Sequence, residues 1–545
     1  MLQGTPIIVL KEGTERDRGK SASSSNIAAA RAIADAVRST LGPRGMDKML
    51  VDSMGDITIT NDGVTILKEV DVEHPAAKML VEVAKTQDQQ CGDGTTTAVV
   101  LAGELLKRAE SLLEQNIHPT VITRGFQLAL AESNKLLTER IGIKITAATH
   151  ADVLRDCART AMGSKGVFGS RDKLADIAVA AVEKIVEMRG ERTVADVSLI
   201  KLEKRHGGTI EDTELIDGIL LDKERGHPRM PKSLHGAKIA LLNSALEIKK
   251  TEIESKINIK NPSQIQSFLD EEDKTFHRMV DAVKATGANV IISQKGIDDV
   301  VLHYLAKDGI LALKQVKESD LQKLARATGG KIVTGVRELS EADLGHAALV
   351  EERKVGEEHM TFVTGCKNPR SVSILIRGGT EHVTQEVERS LQDALKVVSS
   401  VLEDGVVCPG GGATEIDLAV AIRKFAPSVG GREQLAVEAF AQALEVVPWA
   451  LSENGGYDSI NTLIELRGAH DGPNANRNVG VNLADGKATD MWKLKVIEPL
   501  RVKRQALESA VEVADMILRI DDVIASKKGG GGGAPGGMPP GGHAH

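Results

Sequence analysis

Aromatic residues are nearly missing: 2 Trp, 2 Tyr and 7 Phe make up 2% of the 545 residues, so any core must be built from aliphatic side chains and alanine. Cysteine is equally sparse. The four that occur, Cys91, Cys157, Cys366 and Cys408, form no CxxC pair and no cluster with histidine. That excludes a disulfide framework and a zinc site, and it fits a reduced, cytoplasmic setting. Basic charge is not in excess either. With 69 Lys+Arg against 77 Asp+Glu the net charge is -8, so no general basic field draws nucleic acid or an anionic membrane, and neither is expected as a partner. No signal-type apolar core follows the first few hydrophobics, and no apolar run approaches the roughly 20 residues that span a bilayer. Two nucleotide motifs are also absent. GxxxxGK(S/T) occurs nowhere, which excludes a P-loop, and no GxGxxG follows a strand to suggest a dinucleotide fold.

Length and apolar content, by contrast, are ample. A chain of 545 residues is too long for one core and suggests about three or four domains. Hydrophobic residues at 41% and charged residues at 27% fit a soluble globular protein.

The most informative stretch is 89–100, QQCGDGTTTAVV. Two glycines flank one carboxylate, three hydroxyls follow, and a helix then starts whose apolar positions (Ala98, Leu101, Ala102, Leu105, Leu106, Ala109, Leu112, Leu113) repeat with helical period. The first amides of a helix lack partners within it, and with the helix dipole they form an anion site. Gly92 and Gly94 have no Cβ to hold a phosphate off the backbone, Thr95 to Thr97 add hydroxyl donors, and Asp93 is a hard oxygen ligand suited to magnesium. The plainer alternative is a Gly-Asp-Gly turn with Thr as an ordinary helix N-cap.

Along the chain, residues 6–10 read as an arm or edge strand. A helical pattern from Ser25 (Ile27, Ala30, Ala34, Val37, Leu41) stops at Gly42-Pro43. Residues 51–60 alternate like a hairpin, closed by Asn61-Asp62-Gly63, which reads as a tight turn. Pro75 opens a helix, with its missing N–H at the position where that costs least. Helices dominate to about residue 150, broken at 116–119. Further helix surrounds the loop Met162-Gly163-Ser164-Lys165-Gly166, and 197–202 alternates like a strand. By default Lys165 is solvated surface. From about residue 217 short apolar strands (239–242, 290–293, 310–313, 332–333) alternate with helices, an α/β layered domain. Within it, 247–273 is charged yet carries Ile253, Ile257, Ile259, Ile265, Phe268 and Leu269, and a new helix starts at Pro262. Such a segment projects, with its apolar side meeting something else. Strand 372–376 then leads into helix 381–402 containing Asp393. The turn 405–415, rich in glycine, opens another helix, and the final Gly-rich 529–545 reads as disordered.

Three glycine turns at helix ends (42–45, 92–94, 410–412) with separate carboxylates (Asp62, Asp93, Asp393) fit a nucleotide triphosphatase. One acid neutralises charge through a metal, while the others orient or activate the attacking water.

The motifs TLGPRGMDKML, TITNDGVTIL, GDGTTTAVVLAGELL, SLQDAL, VCPGGGATE and VIEPLRVKRQA, occurring in that order, resemble those of group II chaperonins from about Thr5 to Lys527. The resemblance implies an α/β multidomain fold. Residues 1–148 and 403–528 would form a mainly helical equatorial ATPase domain, 149–217 and 369–402 a hinge-like intermediate domain, and 218–368 an α/β apical domain with a helical lid at 247–273. It further implies that Thr40, Leu41, Gly42 and Pro43 line the nucleotide, that Asp93 binds Mg2+, and that Gly94, Thr95, Thr96 and Thr97 hold the phosphates of ATP. Asp62 and Asp393 would serve hydrolysis. Ser164 and Lys165 would bind ATP, with Lys165 sensing the γ-phosphate, a task left to it because Asn61 stands where group I chaperonins have a lysine. Gly411, Glu498 and Asp485 would sit near base and ribose. K+ is admitted as an accessory cation. The implied partners are unfolded protein clients, met by Ile253, Ile257, Ile259, Phe268 and Leu269 of the lid, and sister copies in a stacked double ring of about eight or nine subunits per ring. No separate cap protein is implied. A kinase or other ATPase acting on a small molecule is the alternative.

Overall fold

The computed structural model describes residues 14–146, 150–166, 168–248, 262–366 and 371–526. Its first and largest core is made of helices from both ends of the chain. Leu80, Leu101, Leu106 and Phe126 from the first part pack in one cluster with Phe440, Leu507, Val511 and Ile517 from the last. The shortage of aromatics is visible here, since the Phe126 and Phe440 rings, 6.2 Å apart, are set among alanine, valine and leucine. Alanine-lined helices approach closely: the Lys20–Arg38 helix meets Gly103 of the Thr95–Glu114 helix through Ala34. Strand Thr14–Arg18 pairs antiparallel with Asp522–Ser526, tying the two chain ends together. The expected strand at 6–10 lies outside the described residues.

The helix expected from Ser25 begins earlier, at Lys20. The expected hairpin is present as Lys48–Val51 paired with Ile57–Thr60, and it leaves Met49, Val51, Met54, Ile57 and Ile59 exposed. Asn61-Asp62-Gly63 is not the tight turn expected. Asp62 is the N-cap of the Gly63–Glu69 helix, its carboxylate accepting the Thr65 N–H.

A second core joins the His150–Ala161, Arg171–Ile185 and Glu381–Asp404 helices to a three-stranded sheet. Its central strand, Ser373–Gly378, runs parallel to Lys201–His206 and antiparallel to Glu214–Ile216. Residues 197–202 therefore do not form one strand. Asp196 accepts the Ser198 N–H and winds Val197–Leu199 into a 3-10 turn, so the strand begins only at Lys201.

The third part is a seven-stranded mixed sheet. Ser233–Leu242 lies parallel to Val290–Ser293 and antiparallel to Gly345–Val355. Ala240, Leu242 and Ile291 face a cluster with Val280, Leu302 and Leu305, while Ile239, Leu241 and Ile292 face Leu321 and Leu324. Covered on both faces by helices, these strands read as continuous apolar runs. As expected, Pro262 starts a helix, Pro262–Ala285, on which Leu269 is 52% exposed. Residues 249–261, with Ile253, Ile257 and Ile259, lie outside the described residues, as does the Phe268 side chain.

One stretch, Glu433–Asn454, is long and apolar enough by composition to cross a bilayer, contrary to the sequence expectation. It is two consecutive helices, Glu433–Leu444 and Val446–Asn454, and 78% of the apolar window is buried inside the protein. The chain is thus a multidomain protein of mixed helix and sheet.

Candidate functional site

The Pro75–Cys91 helix ends at Gly92 (φ 76°), and Gly94 (φ 77°) opens the Thr95–Glu114 helix, so Asp93 is the only side chain on a turn held by left-handed backbone. A β-carbon on Gly94 would come 2.7 Å from Val502 and 3.0 Å from Gln87. Gln87 braces the turn from behind, its Nε2 donating to the carbonyls of Asp93 (2.8 Å) and Val502 (3.2 Å). No side chain caps this helix, so the Thr95, Thr96 and Thr97 amides are left for another acceptor. The Ala413–Val429 helix starts the same way, with Gly412 (φ 78°) as an N-cap without a side chain.

Both helix starts open on one cavity of about 210 Å3. Thr40, Leu41, Gly42 and Pro43 form one rim, and Gly94 to Thr97 with Asp93 form the floor. Asp62, Ser164, Lys165 and Asp393 gather on one side, and Gly411 and Glu498 on another. Residues that the sequence places in seven separate stretches are brought together. Asp485 is the exception. The hydrogen bonds Gly486 N–H to Asn482 O and Asn482 N–H to Lys487 O close a tight turn that carries Asp485 to its exposed tip, where it accepts the Lys487 N–H. The wall nearby is made instead by Val481, Asn482 and Leu483, which the sequence reading passed over.

Electrostatics divide the carboxylates. Lys165 is not solvated surface: it is 4% exposed, with Nζ 3.0 Å from Asp393 and 3.8 Å from Asp62. Burial opposes its charge, but Asp393 and Asp62 hold its pKa above the ordinary lysine value. Burial raises the Asp62 carboxyl too, yet the Lys165 cation and the Thr65 hydrogen bonds, one of 2.6 Å from Oγ1, keep it below its usual range. Asp393 has no such cap. Burial pushes it up to about 8 despite Lys165, with Asp62 and Asp93 adding to the rise. Burial also raises Asp93, against the Gly94 amide that donates to it at 2.6 Å. The site therefore holds one carboxylate kept ionised and one whose pKa is raised toward the neutral range, which makes its ionised form the better proton acceptor.

Asn61 lies beneath the loop, its Nδ2 donating to the Ser164 carbonyl. Two further lining residues, Lys503 and Thr160, escaped the sequence reading. Thr160 Oγ1 accepts the Ile497 N–H at 3.2 Å and so fastens the second core to the strand carrying Glu498. A carboxylate three residues beyond a glycine turn (Glu415) and a lysine five beyond Glu498 are visible in sequence, but nothing local says that they meet.

Among the described residues no group of three or more His, Cys, Asp or Glu side chains is placed to hold a metal alone. A magnesium ion here would rely on Asp93 together with phosphate and water oxygens, its usual set beside a nucleotide.

Residues 33–528 match the TCP-1/cpn60 chaperonin family. The chain is 58% identical to thermosome subunit alpha of Thermoplasma acidophilum over 541 residues, 98% of each chain. It is 57% identical to thermosome subunit beta of Archaeoglobus fulgidus over 526 residues, 96% of each. It is 55% identical to a thermosome subunit of Pyrococcus horikoshii over 525 residues, 96% of this chain and 95% of that one. On the strength of that coverage, the chain belongs to the TCP-1/cpn60 chaperonin family.

Proposed function

We propose that this chain is an ATP-hydrolysing subunit of a group II chaperonin, a double ring with a built-in lid that encloses unfolded proteins and promotes their folding in the cytoplasm. The observation that carries this reading is the convergence of Asp62, Asp93, Asp393 and Lys165 on a cavity floored by two uncapped, glycine-led helix starts. Free amides and threonine hydroxyls suit the phosphates of ATP. Mg2+, held through Asp93, neutralises phosphate charge when bound. Asp393, the carboxylate with the raised pKa, accepts a proton from the attacking water, and Asp62 orients that water while staying ionised. Lys165 turns from the two acids to the γ-phosphate as nucleotide enters, drawing the loop 162–166 with it.

Residues 1–148 and 403–528 form the equatorial ATPase domain in this reading, 149–217 and 369–402 the intermediate hinge, and 218–368 the apical client-binding domain. The separate buried clusters support the division. The exposed Met49, Val51, Met54, Ile57 and Ile59 of the hairpin support contact with a sister subunit in the ring. Leu269 at the root of the 247–273 segment supports a lid that meets its neighbours on closure.

Electron micrographs of the purified chain, taken with an ATP hydrolysis assay, test the proposal. Stacked rings that hydrolyse ATP are expected. A monomeric or dimeric ATPase would overturn the chaperonin reading in favour of small-molecule chemistry.

A further inference from the structure

Lys503 sits in the first turns of the Leu500–Leu518 helix with its side chain 7% exposed. Its Nζ lies 2.8 Å from Glu415 Oε1 and 2.5 Å from Glu498 Oε2. Three elements converge there: this helix, the Ala413–Val429 helix that carries Glu415 in its first turn, and the Ile497–Pro499 strand that carries Glu498. Glu415 is 2% exposed, does not line the cavity, and its Oε2 has no hydrogen-bond partner among the described residues. Glu498 does line the cavity, and no hydrogen bond to its Oε1 is found among the described residues. The glycine turn leaves room for that oxygen, since a β-carbon on Gly410 would come within 2.5 Å of it.

We propose that Lys503 is a positioning residue that fixes Glu498 as an ionised, acceptor-only carboxylate aimed at a ribose hydroxyl of the nucleotide, and that Glu415 is a buried counter-charge holding Lys503 in place. The inference rests on the reading of the cavity as an ATP site with Glu498 near the sugar. A buried carboxylate with one oxygen tied to an ammonium has its other oxygen free and correctly oriented, and an ionised acceptor makes the stronger bond to a hydroxyl. Without the ammonium, two carboxylates would share a dry site, and one would take up a proton or turn away. Glu415 near the start of its helix also meets the positive end of the helix dipole, which keeps it charged and the lysine tethered.

The test compares ATP with 2′-deoxy-ATP and 3′-deoxy-ATP as hydrolysis substrates of the assembled protein. Wild type should show a KM at least about tenfold higher for one of the deoxy analogues, the factor expected for one hydrogen bond to a charged group. Lys503→Met should raise KM for ATP to that of the analogue, so the ratio falls to near one. Lys503→Met/Glu415→Gln removes one charge of each sign and supplies the same test should the single variant fail to fold. Glu415→Gln alone keeps the Lys503–Glu498 pair but loosens the lysine, and should give a discrimination between those of wild type and Lys503→Met. Lysine variants that still discriminate would overturn the positioning role and leave the site reading intact. A wild type that treats all three nucleotides alike would overturn the sugar-side reading itself. Full wild-type discrimination in Glu415→Gln would overturn the counter-charge role of Glu415.

Discussion

Two buried lysines in this chain have opposite characters. Lys201, at the junction of the second core with the seven-stranded sheet, is 8% exposed, and its Nζ meets Asp320 and the Leu220 carbonyl at 2.8 Å each, with Glu203 at 3.4 Å. Two of its protons are hydrogen-bonded and a second carboxylate faces the ammonium, so little is left for a ligand. Lys165 is just as buried, at 5%, but it has one carboxylate at 3.0 Å and a second only at 3.8 Å. It also lines a cavity. A satisfied ammonium holds elements together, whereas a partly satisfied one beside open space can exchange partners. Burial alone does not distinguish structure from function; the count of unmet donors does.

The carboxylate partner of Lys165 gives the sharpest test of that contrast. Asp393→Ala should lower ATP turnover by at least about a hundredfold, the usual loss on removing a general base. Nucleotide binding should largely remain, because Asp393 stands on a helix away from the glycine-led floor. Turnover and affinity are measured together, and turnover above about a tenth of wild type would refute the assignment.

Methionine at each lysine separates the two roles. Lys201→Met strands Asp320 and the Leu220 carbonyl in a dry junction and should cost roughly 3–5 kcal/mol of stability. Lys165→Met should cost much less, because its acids face the cavity and Asp393 takes up a proton readily. It should instead abolish the ATP-dependent protection of the 247–273 segment from protease. Equal destabilisation by the two substitutions would erase the distinction.

The cavity was legible in sequence where the signal is local. Gly92-Asp93-Gly94 and the helix after it announce themselves because left-handed turns and uncapped amides belong to consecutive residues. The early turn at Gly42 was legible for the same reason. The triad of Lys503, Glu415 and Glu498 was not, since it exists only where three elements meet. Lys165 looked like a surface residue until the family resemblance was weighed, because a lone lysine in a glycine loop carries no local mark of burial. Strand order was hidden as well: 233–242 pairs with 290–293, 332–333 and 345–355, some parallel and some antiparallel, and alternation cannot say which segments pair. Residues 197–202 misled because one side chain, Asp196, captures the chain into a turn despite a strand-like pattern.

A pH-dependent effect follows from the Asp393 carboxyl in the nucleotide-free protein. Its pKa is about 8 in the fold, against roughly 3.9 when unfolded. Between those values the folded state binds the extra proton, so stability falls as pH rises from about 4 to about 8, and above that the penalty is complete. Asp393→Asn removes the ionisation. The variant should therefore gain on wild type as pH rises through that window, and the difference should level off outside it. Denaturant midpoints without nucleotide or magnesium, taken at steps of pH, measure it. A constant difference from pH 4 to 8 would mean that Asp393 is ionised throughout.

The smallest effect is expected at Asp485, where the resemblance and the geometry part company. The motif assigns it to the nucleotide, but the turn from Asn482 to Lys487 holds it at an exposed tip, its carboxylate engaged with the Lys487 amide. The cavity wall comes from Val481, Asn482 and Leu483, two to four residues earlier. An exposed residue that only shapes its own turn costs within about 0.5 kcal/mol on substitution, which is roughly a twofold change in an equilibrium. Asp485→Ala should thus change KM for ATP by no more than about twofold, while substitutions on the wall itself act on the base or sugar directly. A tenfold rise in KM for Asp485→Ala would show that the turn folds inward over bound nucleotide, and that the exposed carboxylate becomes part of the site only when ATP is present.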